Sequence, residues 1–218
     1  MGGLIGLWWK LIGFGFRLLY NEMAWTYDLV SRAVSLGRWR LWQRAAIAHL
    51  GVSSGDRVLE LAHGTGDLQI DLAAAGLDPI GVDISPAMGR IAARKLRRAG
   101  LPPQLVRADA RHLPFADGSF KAVVSTFPTP FIIEPETLHE AARVLVPGGR
   151  LVIVVAGLLT LRSAPARFLE WLYQITGQRS PWPGDVMDVF DRCGFDARVV
   201  EEEQPGSRVM LVIASRRP

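Results

Sequence analysis

Three acidic residues and one glycine-bearing turn are the parts of this chain whose spacing suits chemistry. Val58-Leu59-Glu60-Leu61-Ala62-His63-Gly64-Thr65-Gly66-Asp67 reads as an apolar strand carrying one acid, a turn with two glycines, and the start of a helix. Glycine belongs where a backbone must turn to positive φ or let a ligand approach closely. A helix opening at Asp67 directs its unpaired N–H groups at whatever the turn holds. The turn is not the dinucleotide pattern GxGxxG, because the helix-packing third glycine is missing. It is not a phosphate loop either, because no Gly-Lys-Ser/Thr follows. Glu60 would repel a pyrophosphate but suits the cationic methionyl part of S-adenosylmethionine. Asp83 stands 17 residues beyond Gly66 and closes the run Gly81-Val82-Asp83, where a carboxylate can accept both hydroxyls of a ribose. Asp109 closes Arg107-Ala108-Asp109-Ala110 and is placed to receive an adenine amino group. Any one of these acids alone reads as a turn residue. In order, on three successive strand ends, they describe a nucleoside site.

The chain has four histidines. His63, inside the glycine turn, is the candidate general base; the plainer reading is a loop histidine that packs or binds backbone. His112 follows Asp109 by three positions and His139 falls on a helix with an exposed position, while His49 is an ordinary helix residue. Their spacing makes no metal site, so no metal is expected. Trp171, Tyr173 and Trp182 are candidates for the wall of an apolar acceptor pocket, or for core.

The elements that must position these groups follow from periodicity. Strand-like runs fall at 57–61, 79–82, 104–108, 122–125, 150–155, 197–202 and 209–214, and helical runs at 67–75, 86–99, 135–146, 163–176 and 184–193. Such alternation predicts a Rossmann-like, doubly wound α/β sheet of seven strands. The last two strands form a hairpin through Gln204-Pro205-Gly206-Ser207. Residues 21–50 read as a helical cap of two helices broken at Gly37, and 51–218 as the nucleoside-binding domain.

Residues 1–20 stand apart. In GLIGLWWKLIGFGFRLLY, over 3–20, Gly3, Gly6, Lys10, Gly13 and Arg17, followed by Asn21, recur at steps of three or four, so they share one narrow helix face. Leu4, Leu7, Trp8, Leu11, Ile12, Phe14, Leu18 and Leu19 cover most of the remainder. Two internal cations and the glycines argue against a spanning helix, and the charges lie inside the run, unlike those of a secretory signal. The pattern suits a helix lying in a membrane interface, or a lid over the protein's own pocket. The whole chain is 49% apolar and 21% charged over 218 residues, which suits one α/β domain with an appendage. A single cysteine, Cys193, rules out an internal disulfide and suits a reducing, cytoplasmic compartment. The net charge of +4 fits a solvated basic face or an anionic partner. No zinc-finger spacing, RNP-type sequence or Asn/Asp-Pro-Pro-Tyr signature accompanies it, so no nucleic acid is expected as partner.

Taken together these segments resemble the class I methyltransferases, especially the menaquinone and ubiquinone biosynthesis C-methyltransferases, a methyltransferase type 11 domain group. The similarity runs over roughly 25–155. It rests on Glu60-Leu-Ala-His-Gly-Thr-Gly-Asp67, with Ala62 as in the quinone branch, on Asp83-Ile-Ser-Pro-Ala-Met88, on Asp109-Ala-Arg-His-Leu-Pro-Phe115, on Arg143-Val-Leu-Val-Pro-Gly-Gly-Arg-Leu151, and upstream on Tyr27-Asp28-Leu29 with Ser35-Leu36-Gly37-Arg38-Trp39-Arg40. The resemblance implies S-adenosylmethionine as cofactor. It implies a cofactor site made by Tyr27, Glu60, Ala62, His63, Gly64, Gly66, Asp83, Ile84, Met88, Asp109, Ala110, Ser125 and Thr126, with Tyr27 a second catalytic candidate beside His63. Two segments depart from the quinone family. Ser125-Thr-Phe-Pro-Thr-Pro-Phe131 replaces its phenylalanine-glycine segment, and Gln204-Pro-Gly-Ser-Arg208 its C-terminal glycine pair. Both flank the acceptor, so the acceptor stays open: a membrane-dissolved quinol, a phospholipid amine as in the similar bacterial phospholipid N-methyltransferases, or a small soluble metabolite methylated on O or N. A non-catalytic cofactor-binding protein is the remaining reading. The expected location is the cytoplasm, peripheral to the membrane through 1–20; no oligomeric state is implied.

Overall fold

The structure is a computed structural model that describes residues 26–161, 163–175 and 185–218. The expectations for residues 1–20 and for Trp182 lie outside the described residues. Two cap helices come first, α1 (Tyr27–Val34) and α2 (Trp39–Ala45), the second running into a 3-10 turn over Ala46–His49. Then follow β1 (Arg57–Leu61), α3 (Asp67–Ala74), β2 (Asp78–Asp83), α4 (Pro86–Arg98), β3 (Leu105–Arg107), β4 (Phe120–Thr126), α5 (Pro135–Val144), β5 (Leu145–Leu159), α6 (Ala164–Ile175), α7 (Val186–Arg192), β6 (Phe195–Gln204) and β7 (Ser207–Arg216).

Among the described residues seven strands form one sheet in the order β3-β2-β1-β4-β5-β7-β6. The first five are parallel, and β7 runs antiparallel between β5 and β6. The sheet alternates by residue between two buried layers. Val58, Ala122, Val124, Val152 and Val154 face the side of α3 with Trp42, Leu68 and Leu72. Leu59, Leu61, Val123, Leu151 and Ile153 face the other side with Leu138, Ala141 and Phe190. Strands buried on both faces read as the continuous apolar runs seen in the sequence.

The register aligns the carboxyl ends. Leu61 lies opposite Val82 on β2 and Ser125 on β4, and Asp83 lies opposite Arg107 on β3. Loops leaving these ends must therefore meet at one edge, beside the point where the chain reverses its winding direction between β1 and β4. The β6–β7 hairpin turns on Pro205 and Gly206, with Gly206 at φ 67° and Gln204 paired to Ser207. The terminal strands are longer than their apolar centres, because ten residue pairs zip outward into charged sequence.

The cap is fastened to the sheet by Trp42. Its ring is fully buried, and a Cβ on Gly157 of β5 would lie 2.1 Å from Trp42 Cδ2. The indole Nε1 donates to Ser207 Oγ at 3.0 Å. Trp42→Ala should therefore lower unfolding free energy by about 3–5 kcal/mol, through the cavity and the orphaned hydroxyl. A denaturant titration reads that loss as a lower midpoint at unchanged slope. Among the described residues no helix is long and apolar enough to cross a membrane.

Candidate cofactor site

The loop after β1 turns on three left-handed residues, Ala62 at φ 57°, Gly64 at φ 52° and Gly66 at φ 82°. The conformation is strained for Ala62, which carries a Cβ. At Gly64 a Cβ would meet nothing within 4 Å, so the backbone there faces open space. At Gly66 a Cβ would stand 2.9 Å from Ala92 Cβ on α4, so only glycine lets the loop and α4 come this close. Gly66 precedes α3, whose first N–H groups point back into the loop.

Glu60 is the acid beneath this loop. It is 1% exposed and accepts a hydrogen bond from Gln69 Nε2 on α3 at 2.7 Å. Burial, together with the nearby Asp83, Asp67 and Asp71, pushes its carboxyl up to about 8, against the smaller opposing pull of the Gln69 bond. Asp83 takes the loop from the β2 side. Its Oδ2 accepts from Gly64 N at 2.9 Å and its Oδ1 from Ser85 N at 2.8 Å. Ser85 then caps α4, its Oγ accepting from Met88 N. Ile84, between them, leaves 63% of its surface exposed, an apolar side chain held at the sheet edge. Met88 is fully buried in α4, and Ala110 is half-buried beyond β3.

His63 is 5% exposed, with its ring against β2, where a Cβ on Gly81 would come within 2.9 Å of His63 Cδ2. Its Nδ1 lies 2.9 Å from Gly64 O. A carbonyl can only accept, so Nδ1 carries the hydrogen and Nε2 the lone pair. Burial lowers the imidazole's pKa more than the neighbouring Asp83 raises it, which keeps the ring neutral. Asp109 forms an ion pair with Arg111, whose Nη2 lies 2.6 Å from Oδ2, and that guanidinium holds the carboxyl down to about 2. Ser125 donates to Leu61 O at 2.8 Å, locking β4 to β1, and Thr126 Oγ1 accepts from Gln43 Nε2 of the cap at 3.0 Å.

The cap closes on the loop through groups that pattern reading passed over. Thr65 Oγ1 donates to Asp28 Oδ1 on α1 at 2.6 Å. Lys95 Nζ on α4 lies 2.7 Å from Asp28 and 2.8 Å from Asp67 at the start of α3. On the outer side of the cap, Arg40 and Arg44 both bind Asp71 of α3. Tyr27, one residue before Asp28, meets Trp39 edge-on with centroids 6.3 Å apart. Trp39 stacks on Phe127 at 4.1 Å, and Phe127 itself sits at φ 51°. The unusual segment after β4 thus turns back under the cap. Lys95→Met should loosen α1 from the loop at a cost of about 1 kcal/mol, a partly exposed ion pair being worth little more. Limited proteolysis should then cut near 27–34 faster than in the parent protein.

The three strand-end acids, the loop and Ile84 come together at one edge. Trp171 and Tyr173 do not join them in a shared wall. Trp171 is 51% exposed and packs beside Phe168 at 5.8 Å, whereas the Tyr173 hydroxyl donates to Val34 O at 3.0 Å. His139 is exposed, and His49 Nε2 lies 2.6 Å from Glu202. No group of three or more metal-ligating side chains is gathered among the described residues.

The strand order, the reversed seventh strand and an acid-flanked glycine loop define the class I methyltransferase fold. The YcgJ protein of Bacillus subtilis has that fold in common with this chain, at TM-score 0.62 and 16% identity, covering 82% of this chain and 99% of that one. Residues 16–180 match the ubiE/COQ5 methyltransferase family, and the chain belongs to it. A demethylmenaquinone methyltransferase of Beutenbergia cavernae is 44% identical over 136 residues, covering 62% of this chain and 55% of the relative. One from Thermus thermophilus is 41% identical over 139 residues, with 62% and 63% covered. The chain thus spans a little over half to under two thirds of the length of these two relatives.

Proposed function

We propose that the protein is an S-adenosylmethionine-dependent methyltransferase acting on a hydrophobic, quinol-type acceptor, as the names of its relatives suggest. The observation that carries the reading is the loop 62–66, with open space over Gly64, a buried acid beneath it in Glu60 and a second acid, Asp83, gripping it from β2. The donor set fits the cofactor. Glu60 would answer the cationic methionyl end, and Asp83 would use its remaining lone pairs on the ribose hydroxyls. Ile84 would lie along the adenine ring, with Asp109 and Ala110 at its amino edge. Ala62, Gly64, Gly66 and Met88 shape the cradle, Ser125 and Thr126 fix the end of β4, and Tyr27 stands at the cap side. When bound, S-adenosylmethionine supplies a methyl group on a sulfonium, open to in-line displacement. The chain's part is to orient donor and acceptor and to exclude water, which the cap's contacts with the loop serve.

Methylating a quinol carbon also requires a hydroxyl proton to leave. The candidate base, His63, is engaged by the loop through Gly64 O and packs against Gly81, so it is read as a positioning residue. His63→Gln should raise the KM for cofactor several-fold while changing kcat less; a base would show the reverse. Residues 1–20 are assigned to the membrane interface on the cytoplasmic side, where such an acceptor dissolves. The test is incubation with labelled S-adenosylmethionine and separate pools of demethylated quinol and phosphatidylethanolamine. Label in the quinol supports the reading, and label in the phospholipid alone overturns it.

A further inference from the structure

Five arginines gather beyond the cofactor loop, and one of them, Arg107, donates its Nε to Ile84 O at 3.2 Å. A groove of about 850 Å³ runs between α4 and β3, the edge strand of the sheet. Arg90, Arg94, Arg97, Arg98 and Arg107 line it, and all five are exposed. On α4 the first four stand at steps of four, three and one, so they follow one side of the helix for roughly 12 Å. The helix contains no acid. Its one lysine, Lys95, is drawn off to Asp28 and Asp67. None of the four α4 arginines has a carboxylate within ion-pair distance among the described residues, whereas Arg40, Arg44, Arg111 and Arg143 all do. The last turn of α4 gains something from cations against the helix dipole. That accounts for Arg97 and Arg98 and leaves Arg90 and Arg94 without a role.

Beneath the guanidinium groups the floor is apolar, made by Ala93, Leu105 and Val106. Among the described residues no Phe, Tyr or Trp lines the groove and the one ring at its end, His63, is 5% exposed and held against β2, so it has no run of platforms on which nucleic-acid bases would stack. Fork-shaped cations above an apolar floor match a phosphodiester attached to an acyl chain. The groove ends at Asp83 and His63, which places it beside the cofactor loop.

We propose that this groove binds the phosphate headgroups of anionic phospholipids and seats the sheet edge on a membrane. The proposal rests on the reading that the acceptor is dissolved in the membrane. It locates a second contact, independent of residues 1–20.

The test compares the full chain with the variant Arg90→Gln/Arg94→Gln/Arg97→Gln/Arg98→Gln. Sedimentation is measured with vesicles of phosphatidylcholine alone and of phosphatidylcholine mixed with phosphatidylglycerol. Both proteins carry residues 1–20, so any apolar attachment cancels. A basic residue near an anionic surface is worth roughly fivefold in partition, so the parent should gain well over tenfold from phosphatidylglycerol, and the variant should lose most of that gain. In the parent, raising salt should abolish the gain, which needs no variant to fold. S-adenosylhomocysteine titration confirms that the variant retains its site. Equal partition onto both vesicle types, or an unchanged gain in the folded variant, overturns the proposal. So does saturable micromolar binding of inorganic phosphate that the variant loses, since that marks a soluble ligand. Methyl transfer to a detergent-dispersed quinol needs no vesicle. Its absence would count against the catalytic reading and leave the lipid measurement standing.

Discussion

Asp83→Ala should weaken S-adenosylhomocysteine binding by about a hundredfold, near 2.7 kcal/mol, while the protein stays folded. Two costs combine. The carboxylate now takes hydrogen bonds from Gly64 N and Ser85 N, so its removal frees both the loop and the start of α4. Hydrogen bonds to a charged group contribute about 1.5–3 kcal/mol each where water is excluded. Asp83 is only half-buried, so water recovers part of that. The ribose hydroxyls then lose their acceptor as well. Asp83→Asn keeps one acceptor oxygen without the charge and should fall between, at about tenfold. Calorimetric titration of the three proteins orders them. Binding of the alanine variant within threefold of the parent would remove Asp83 from the site.

The second large effect is a pH dependence set by Glu60. Its carboxyl titrates near 8, far above its ordinary 4.5, because it is buried. At neutral pH the empty site therefore holds a proton there. A cation arriving above the loop favours the carboxylate, so binding expels that proton. Cofactor affinity should rise with pH up to about 8, by as much as tenfold per unit, and level off above it. Fold stability runs the other way. A group whose folded pKa is raised contributes stability that is complete below the unfolded value near 4.5 and is lost as pH rises through about 8. The empty protein should accordingly lose stability across that window, and bound cofactor should restore it. Glu60→Gln keeps a partner for Gln69 without the charge. It should flatten both profiles and bind more weakly at pH 8 than the parent. Titrations in buffers of different ionisation enthalpy count the released proton directly.

Much of this was legible before any coordinates. The apolar runs of β1, β2 and β4 lie in a doubly covered sheet, so their hydrophobic signal is continuous and bounded by turn residues. The acids are legible by their places, Glu60 within the run of β1, Asp83 closing that of β2 and Asp109 two residues past β3. What stayed hidden depends on contacts distant in sequence. Thr65 meets Asp28 across 37 residues and Lys95 meets Asp28 across 67, and no local period announces either. Phe127 is another case, since its left-handed backbone accompanies a ring contact with Trp39, far away in sequence. β6, β7 and the carboxyl end of β5 run past their apolar centres because antiparallel pairing continues wherever a partner strand continues, whereas the amino end of β5 starts at Leu145 against Phe120 of the parallel β4. Trp171 lies on the periodic helix that pattern reading expected, yet its ring is exposed, because period alone does not say which face has a partner.

The glycine loop is the centre of the cofactor site, and one titration tests it most directly. S-adenosylhomocysteine is added to the full chain and to Gly66→Val, in which a side chain at φ 82° would drive into Ala92. Saturable binding at one site per parent chain is expected, with none in the folded variant. No binding by the parent, or equal binding by both proteins, would contradict it.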